Sequence, residues 1–114
     1  METPRHVHIL WTNDNPVTAE KMVFMYGLNS LKHGWWDNVT IIVWGATAAL
    51  VAQDANIQKR LKELMAGGVA VSACKACAQE LGIVDPLLNL GLELKYWGQL
   101  LTELLQSGAP MLTI

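Results

Sequence analysis

The stretch Gly68 to Gly82, GVAVSACKACAQELG, holds a strand, a turn and a helix in one unbroken run. Val69 to Ala73 alternates valine with small residues and reads as a strand. Cys74 to Leu81 reads as a short helix, and Gly82 stops it, because glycine takes the left-handed conformation that closes a helix. The same alternation extends outward on both sides. Upstream, Val39 to Trp44 (VTIIVW) is apolar on both faces, as a strand buried in a parallel sheet must be. Gly45 then turns the chain, and Thr47 is the expected cap of the next helix. Asp54 is the expected cap of another, in which Ile57, Leu61, Leu64 and Met65 share one face. Earlier still, His6 to Trp11 is a strand. Asn15 caps and Pro16 opens a broadly apolar helix that runs to about Lys32, ended by Gly34. Downstream of Gly82, Asp85–Pro86 opens a short helical turn and Leu92 to Tyr96 is a strand. Trp97 to Gln106 is a helix, and Pro110 to Ile114 closes the chain as a fifth strand. Strand and helix alternate throughout. That pattern predicts an α/β fold of three layers (α/β/α), a mainly parallel five-stranded sheet with helices on both faces.

The chain has 114 residues, enough for a single domain spanning 1–114. Charged residues make up only 16% of it and apolar residues 52%, so a monomer is expected to leave apolar surface uncovered and to self-associate. The net charge is −2 and the basic residues form no stripe, which argues against nucleic acid as a partner. Met1 to Arg5 is polar and does not resemble a leader. The uncharged run Val39 to Gln53 is too short to span a bilayer. A cytoplasmic protein with no membrane partner is therefore expected, and in that compartment cysteines stay reduced. The sequence contains no GxGxxG, no phosphate-binding P-loop and no GxSxG elbow. It has no histidine–carboxylate cluster at metal spacing either, so no cofactor and no metal are expected.

The chemistry-bearing feature is the pair Cys74 and Cys77. Cys74 stands where a strand ends and a helix begins. The unpaired N–H groups and partial positive charge of a helix start favour a thiolate there. Cys77, three residues on, lies on the same helical face. The spacing suits an attacking thiolate and a second thiol that resolves a disulfide or persulfide. Simple packing of two buried cysteines is the competing reading. A zinc site would need ligands from another subunit, since His6, His8 and His33 are not at ligand spacing. Ligands of parallel sheets bind beyond the strands' carboxyl ends. Asp14, Thr47, Lys75 and Trp97 all fall at such ends, and they are the candidate substrate-binding or supporting residues. Asp14 and its neighbours Asn13 and Asn15 double as helix-capping residues. His8 is expected to be a packed strand histidine with a satisfied ring nitrogen, and His33 to complement a helix C-terminus. The adjacent Trp35 and Trp36 cannot both point into one core, so at least one is expected to serve an interface, with simple partial burial as the alternative.

The run from Gly68 to Ile83 resembles the active-site segment of the DsrE/DsrF-like family, of YchN-like fold, which includes the TusD sulfur-relay proteins. The resemblance lies in a glycine, an alternating strand, a cysteine and a second glycine eight residues after that cysteine. The Gly45–Ala46–Thr47 turn and the closing strand, helix and strand from Leu92 to Ile114 extend it by pattern. The resemblance implies a five-stranded, mainly parallel sheet between helices. It also implies a homotrimer or homohexamer with the cysteine near a subunit boundary, and sulfane sulfur passed between proteins as a persulfide on Cys74. Cys77 falls where some members carry a small apolar residue and others a CxxC. Sulfur-relay members often have arginine before the closing glycine. Leu81 stands there in this chain, which leaves Lys75 as the nearby cation. Two other functions suit the same residues: a dithiol redox protein using the CxxC, and a non-enzymatic oligomeric binding module in which the thiols only pack.

Overall fold

The computed structural model describes residues 5–114; residues 1–4, on which the reading of a missing leader partly rests, lie outside it. Five strands form one sheet: β1 His6–Trp11, β2 Asn38–Val43, β3 Ala70–Cys74, β4 Glu93–Lys95 and β5 Met111–Thr113. All four strand pairings are parallel, in the order β4-β3-β2-β1-β5. The sheet is thus wholly parallel, the stricter form of the mixed arrangement the alternation allowed.

Helix α1 follows β1 in three continuous stretches: α-helical over Pro16–Thr18, π-helical over Ala19–Phe24 and α-helical over Met25–Lys32. Asn15 caps it, its side chain accepting the N–H groups of Val17 and Thr18. The wide π turn brings Ala19, Val23 and Phe24 to one buried side, a spacing that the 3.6-residue period of an α-helix does not give. The remaining helices are α2 Ala46–Gln53, α3 Ala55–Ala66, α4 Lys75–Leu81, α5 Val84–Asn89 and α6 Trp97–Ser107. Asp54 caps α3 as its sequence position implies, accepting from Asn56 and Ile57. Thr47 does not cap α2; Gly45 occupies the cap with φ at 71° and Thr47 lies within the first turn.

Strand order decides where the helices lie. The chain steps from β1 to β2 to β3 to β4 in one direction across the sheet. Right-handed crossovers that all step the same way deposit their helices on one face. Val7, Ile9 and Trp11 of β1, Val39, Ile41 and Val43 of β2, and Val71 and Ala73 of β3 join a single core there. Phe24 of α1, Val51 of α2, Ile57, Leu61 and Leu64 of α3, Ala78 of α4 and Leu87 of α5 fill it from above. The last crossover reverses direction to bring β5 beside β1, so α6 lies on the opposite face. Trp97 anchors it there, its indole N–H donating to Ser72 Oγ at 2.8 Å, and Ser72 donates in turn to the Glu93 carbonyl at 2.8 Å. The layers are therefore unequal: among the described residues five helices cover one face and one helix covers the other.

Candidate functional site

Adjacent strands whose outgoing connections leave to opposite faces open a crevice at their carboxyl ends. In this sheet the adjacent pair is β3, leading to α4, and β4, leading to α6. Cys74 stands at that point, paired with Lys95 of β4. Cys74 is both the last residue of β3 and the N-cap of α4, with extended backbone at φ −66° and ψ 113°. Its Sγ accepts the N–H of Cys77 at 3.5 Å. A sulfur thus does at this helix start what a serine or aspartate oxygen does elsewhere. Both cysteines are free thiols.

The two sulfurs differ in surroundings. Cys74 is 4% exposed. Burial pushes its thiol up from the ordinary range, and hydrogen bonding to the Cys77 side chain pushes the same way. The backbone N–H of Cys77 pulls it down, a charge on Cys77 pushes it up again, and the N–H of Ala76 pulls it down. The helix-start amides therefore act as the sequence suggested, but desolvation outweighs them and the net direction is up. The expectation of a favoured Cys74 thiolate is corrected accordingly. Cys77 is partly exposed and lines a cleft of about 250 Å³ with Gly45, Ala46, Ala49, Glu80 and Leu81. The glycine turn after β2 and the small residues of α2 leave this space open beside α4.

The other candidates are distributed around the sheet. The Lys75 ammonium lies over the Tyr96 ring, 5.2 Å from its centre, and the Tyr96 hydroxyl exchanges hydrogen bonds with the Gln79 amide at 3.1–3.3 Å. Lys75 thus ties α4 to the segment after β4 across the crevice, and it does not line the cleft of Cys77. Thr47 is fully buried. Its hydroxyl donates to the Trp11 carbonyl at 2.7 Å and accepts the Trp44 N–H at 3.1 Å. It joins the ends of β1 and β2 and is closed to ligands. Asp14 is exposed in the loop before α1 and shares neither the cleft wall nor a hydrogen bond with the cysteines. Trp97 is buried on the α6 face and lines a different cavity, of about 380 Å³, with His8, Lys95, Leu100, Glu103, Leu104 and Ser107. The sequence reading missed Glu80. One helical turn after Cys77 it brings a carboxylate to the same cleft, and the i, i+3 spacing was the signal for it.

His8 is nine-tenths buried and stacks on His6 with ring centres 4.1 Å apart. Its Nδ1 is buried without a hydrogen-bond partner among the described residues, contrary to the expected satisfied ring. Burial, and secondarily the neighbouring His6, push its pKa down to about 4. Trp35 is exposed and stacks on His33, while the Trp36 indole donates to the Tyr26 hydroxyl at 3.0 Å. The two adjacent indoles thus part, one outward and one onto the core. No group of three or more His, Cys, Asp or Glu among the described residues could hold a metal ion.

The model of the DsrE/DsrF-like family matches residues 24–113, which span β2 to β5 and the whole cysteine segment. The chain belongs to the DsrE/DsrF-like family. Among solved structures, a conserved protein of unknown function from Bacteroides thetaiotaomicron, BT1422, is 40% identical. That match covers 96% of this chain and 95% of the other with a TM-score of 0.94. Two more distant structures share the fold. The YchN protein of E. coli matches at 18% identity over 98% of this chain and 100% of its own, with a TM-score of 0.70. MTH1491 of Methanobacterium thermoautotrophicum, of unknown function, matches at 16% over 96% and 98%, also at 0.70. No curated protein matches the chain. The DsrE/DsrF-like fold expected from the cysteine segment is thus the fold the chain adopts.

Proposed function

We propose that this protein accepts sulfane sulfur from a persulfide-bearing donor, holds it on the Cys74–Cys77 pair and passes it to an acceptor thiol. The observation that carries this reading is the placement of both free thiols within one helical turn at the carboxyl end of β3, with one of them opening into the cleft between α2 and α4. The transfer is a displacement at sulfur. A protein thiolate attacks the outer sulfur of the donor persulfide, a new S–S bond forms, the donor's S–S bond breaks, and the donor leaves as a thiolate. There is no net oxidation, so no cofactor is required. Membership of the DsrE/DsrF-like family supports a sulfur-relay role.

The partners proposed are a protein or small-molecule persulfide donor, a thiol acceptor and further copies of this chain, as a trimer or hexamer. Self-association is supported by α6, which covers its sheet face alone and leaves Leu105 59% exposed. Among the described residues no helix is long and apolar enough to cross a membrane. The pair needs reducing surroundings to stay as thiols, which is why we place the protein in the cytoplasm.

Intact-mass measurement of the reduced protein after incubation with glutathione persulfide tests the reading. Followed over time, the expected result is a transient mass of one added sulfur before any disulfide forms, absent from the Cys74→Ser/Cys77→Ser double variant. A folded wild type that shows no added sulfur at any time would sink it. The proximity of the two thiols also favours a second reading, a dithiol that cycles as a Cys74–Cys77 disulfide under mild oxidant without ever carrying sulfur. The same time course separates the two, because the dithiol reading gives the disulfide with no added-sulfur mass before it.

A further inference from the structure

The structure gives the two cysteines unequal positions, and the inequality assigns them an order. Cys77 is the thiol on the cleft wall, and Cys74 lies beneath it, nearly sealed, with its sulfur receiving the Cys77 N–H. We propose that sulfur enters at Cys77 and that Cys74 is the resolving thiol, which in the absence of an acceptor expels the sulfur as hydrosulfide. The inference rests on the sulfur-carrier reading and deepens it, reversing the order that the segment's resemblance implies.

An attacking group needs a line of approach to the donor's outer sulfur. Only Cys77 has one: the cleft of about 250 Å³ admits the tip of a persulfide between Ala46, Ala49 and Leu81. Cys74 has no such access at 4% exposure. Its environment, however, suits the second step. The Cys74 thiol is pushed up, chiefly by burial, which adds to its lack of access in disfavouring it as the first nucleophile. Once Cys77 carries the persulfide, the Cys74 proton passes to its terminal sulfur and the Cys74 thiolate attacks Cys77 Sγ. The Cys74–Cys77 S–S bond forms, the Cys77–sulfur bond breaks, and the Cys74 proton leaves with the outer sulfur as hydrosulfide. Two electrons pass from the dithiol to the sulfane sulfur, and a dithiol reductant then restores the pair. Cys74 sits at the cap with extended backbone, outside the regular helix, so closing the disulfide does not require the helix to unwind.

Time-resolved peptide mass spectrometry after addition of glutathione persulfide locates the first adduct in the wild type, with no substitution needed. We expect it on Cys77, followed by release of one equivalent of hydrosulfide and appearance of the disulfide. The Cys74→Ser variant is expected to load Cys77 and to release none. The Cys77→Ser variant is expected to load about tenfold or more slowly, through the buried sulfur alone. A first adduct on Cys74, with Cys77→Ser loading at the wild-type rate, would overturn this order while leaving the carrier reading intact. Absence of sulfur from both cysteines would overturn the carrier reading as well.

Discussion

His8 shows how a single side chain can tie stability to pH. Buried on the α6 face of the sheet, it rests against His6 and shares a cavity with Lys95 and Glu103. Its pKa is about 4 in the folded chain against an ordinary 6.5. A depressed folded value means that the unfolded chain binds the proton more readily. The stability held in the neutral ring is therefore complete above pH 6.5 and lost as the pH falls from there toward 4. Urea midpoints measured at pH 7 and pH 4.5 are expected to drop further for the wild type than for His8→Gln, and equal drops would refute the assignment. The histidine was legible in the sequence as a packed strand residue. Its orphan Nδ1 was not, because what surrounds a ring nitrogen depends on β2, β5 and α6 arriving beside it. Thr47 teaches the same lesson: its position after a glycine suggested a cap, yet its hydroxyl joins the ends of two strands that are distant in sequence.

At the scale of elements, α4 carries the chemistry and is short, so its ends matter. Cys74 closes the N-terminal end and Gly82 the other, in the left-handed conformation at φ 69° with the N–H of Gly82 bonded back to the Ala78 and Gln79 carbonyls. A Cβ at Gly82 would meet nothing within 4 Å. Gly82→Ala should therefore cost only the backbone strain, about 1–2 kcal/mol. Gly82→Asn should recover part of it, since asparagine tolerates this conformation. Chemical denaturation of both variants checks this, and a Gly82→Ala protein as stable as the wild type would contradict it. The strands, the caps at Asn15 and Asp54 and this stop at Gly82 could all be read from local chemistry. The π turn in α1 could not, because its wider period serves the burial of Ala19, Val23 and Phe24 against a sheet that the local sequence does not describe.

For the whole molecule, the reversal of the last crossover decides both the crevice and the bare face. It sends α6 alone across a sheet face bearing His8, Ser72 and Thr40, with Leu100, Leu101 and Leu104 half-buried and Leu105 exposed. Self-association through that face predicts that Leu105→Glu lowers the sedimenting mass toward that of a monomer. The same charge on an exposed position should change monomer stability by no more than about 0.5 kcal/mol. An unchanged assembly would assign that interface elsewhere. The sequence by itself determined the alternation of strands and helices, the family segment and the thiol pair, because turn residues, periodicity and cysteine spacing act over a few neighbours along the chain. The tertiary structure alone decided the strand order, the crevice between β3 and β4, and which of the two sulfurs meets solvent. Those depend on desolvation and on contacts between segments far apart in sequence, where burial of Cys74 overrides the pull of its own helix amides.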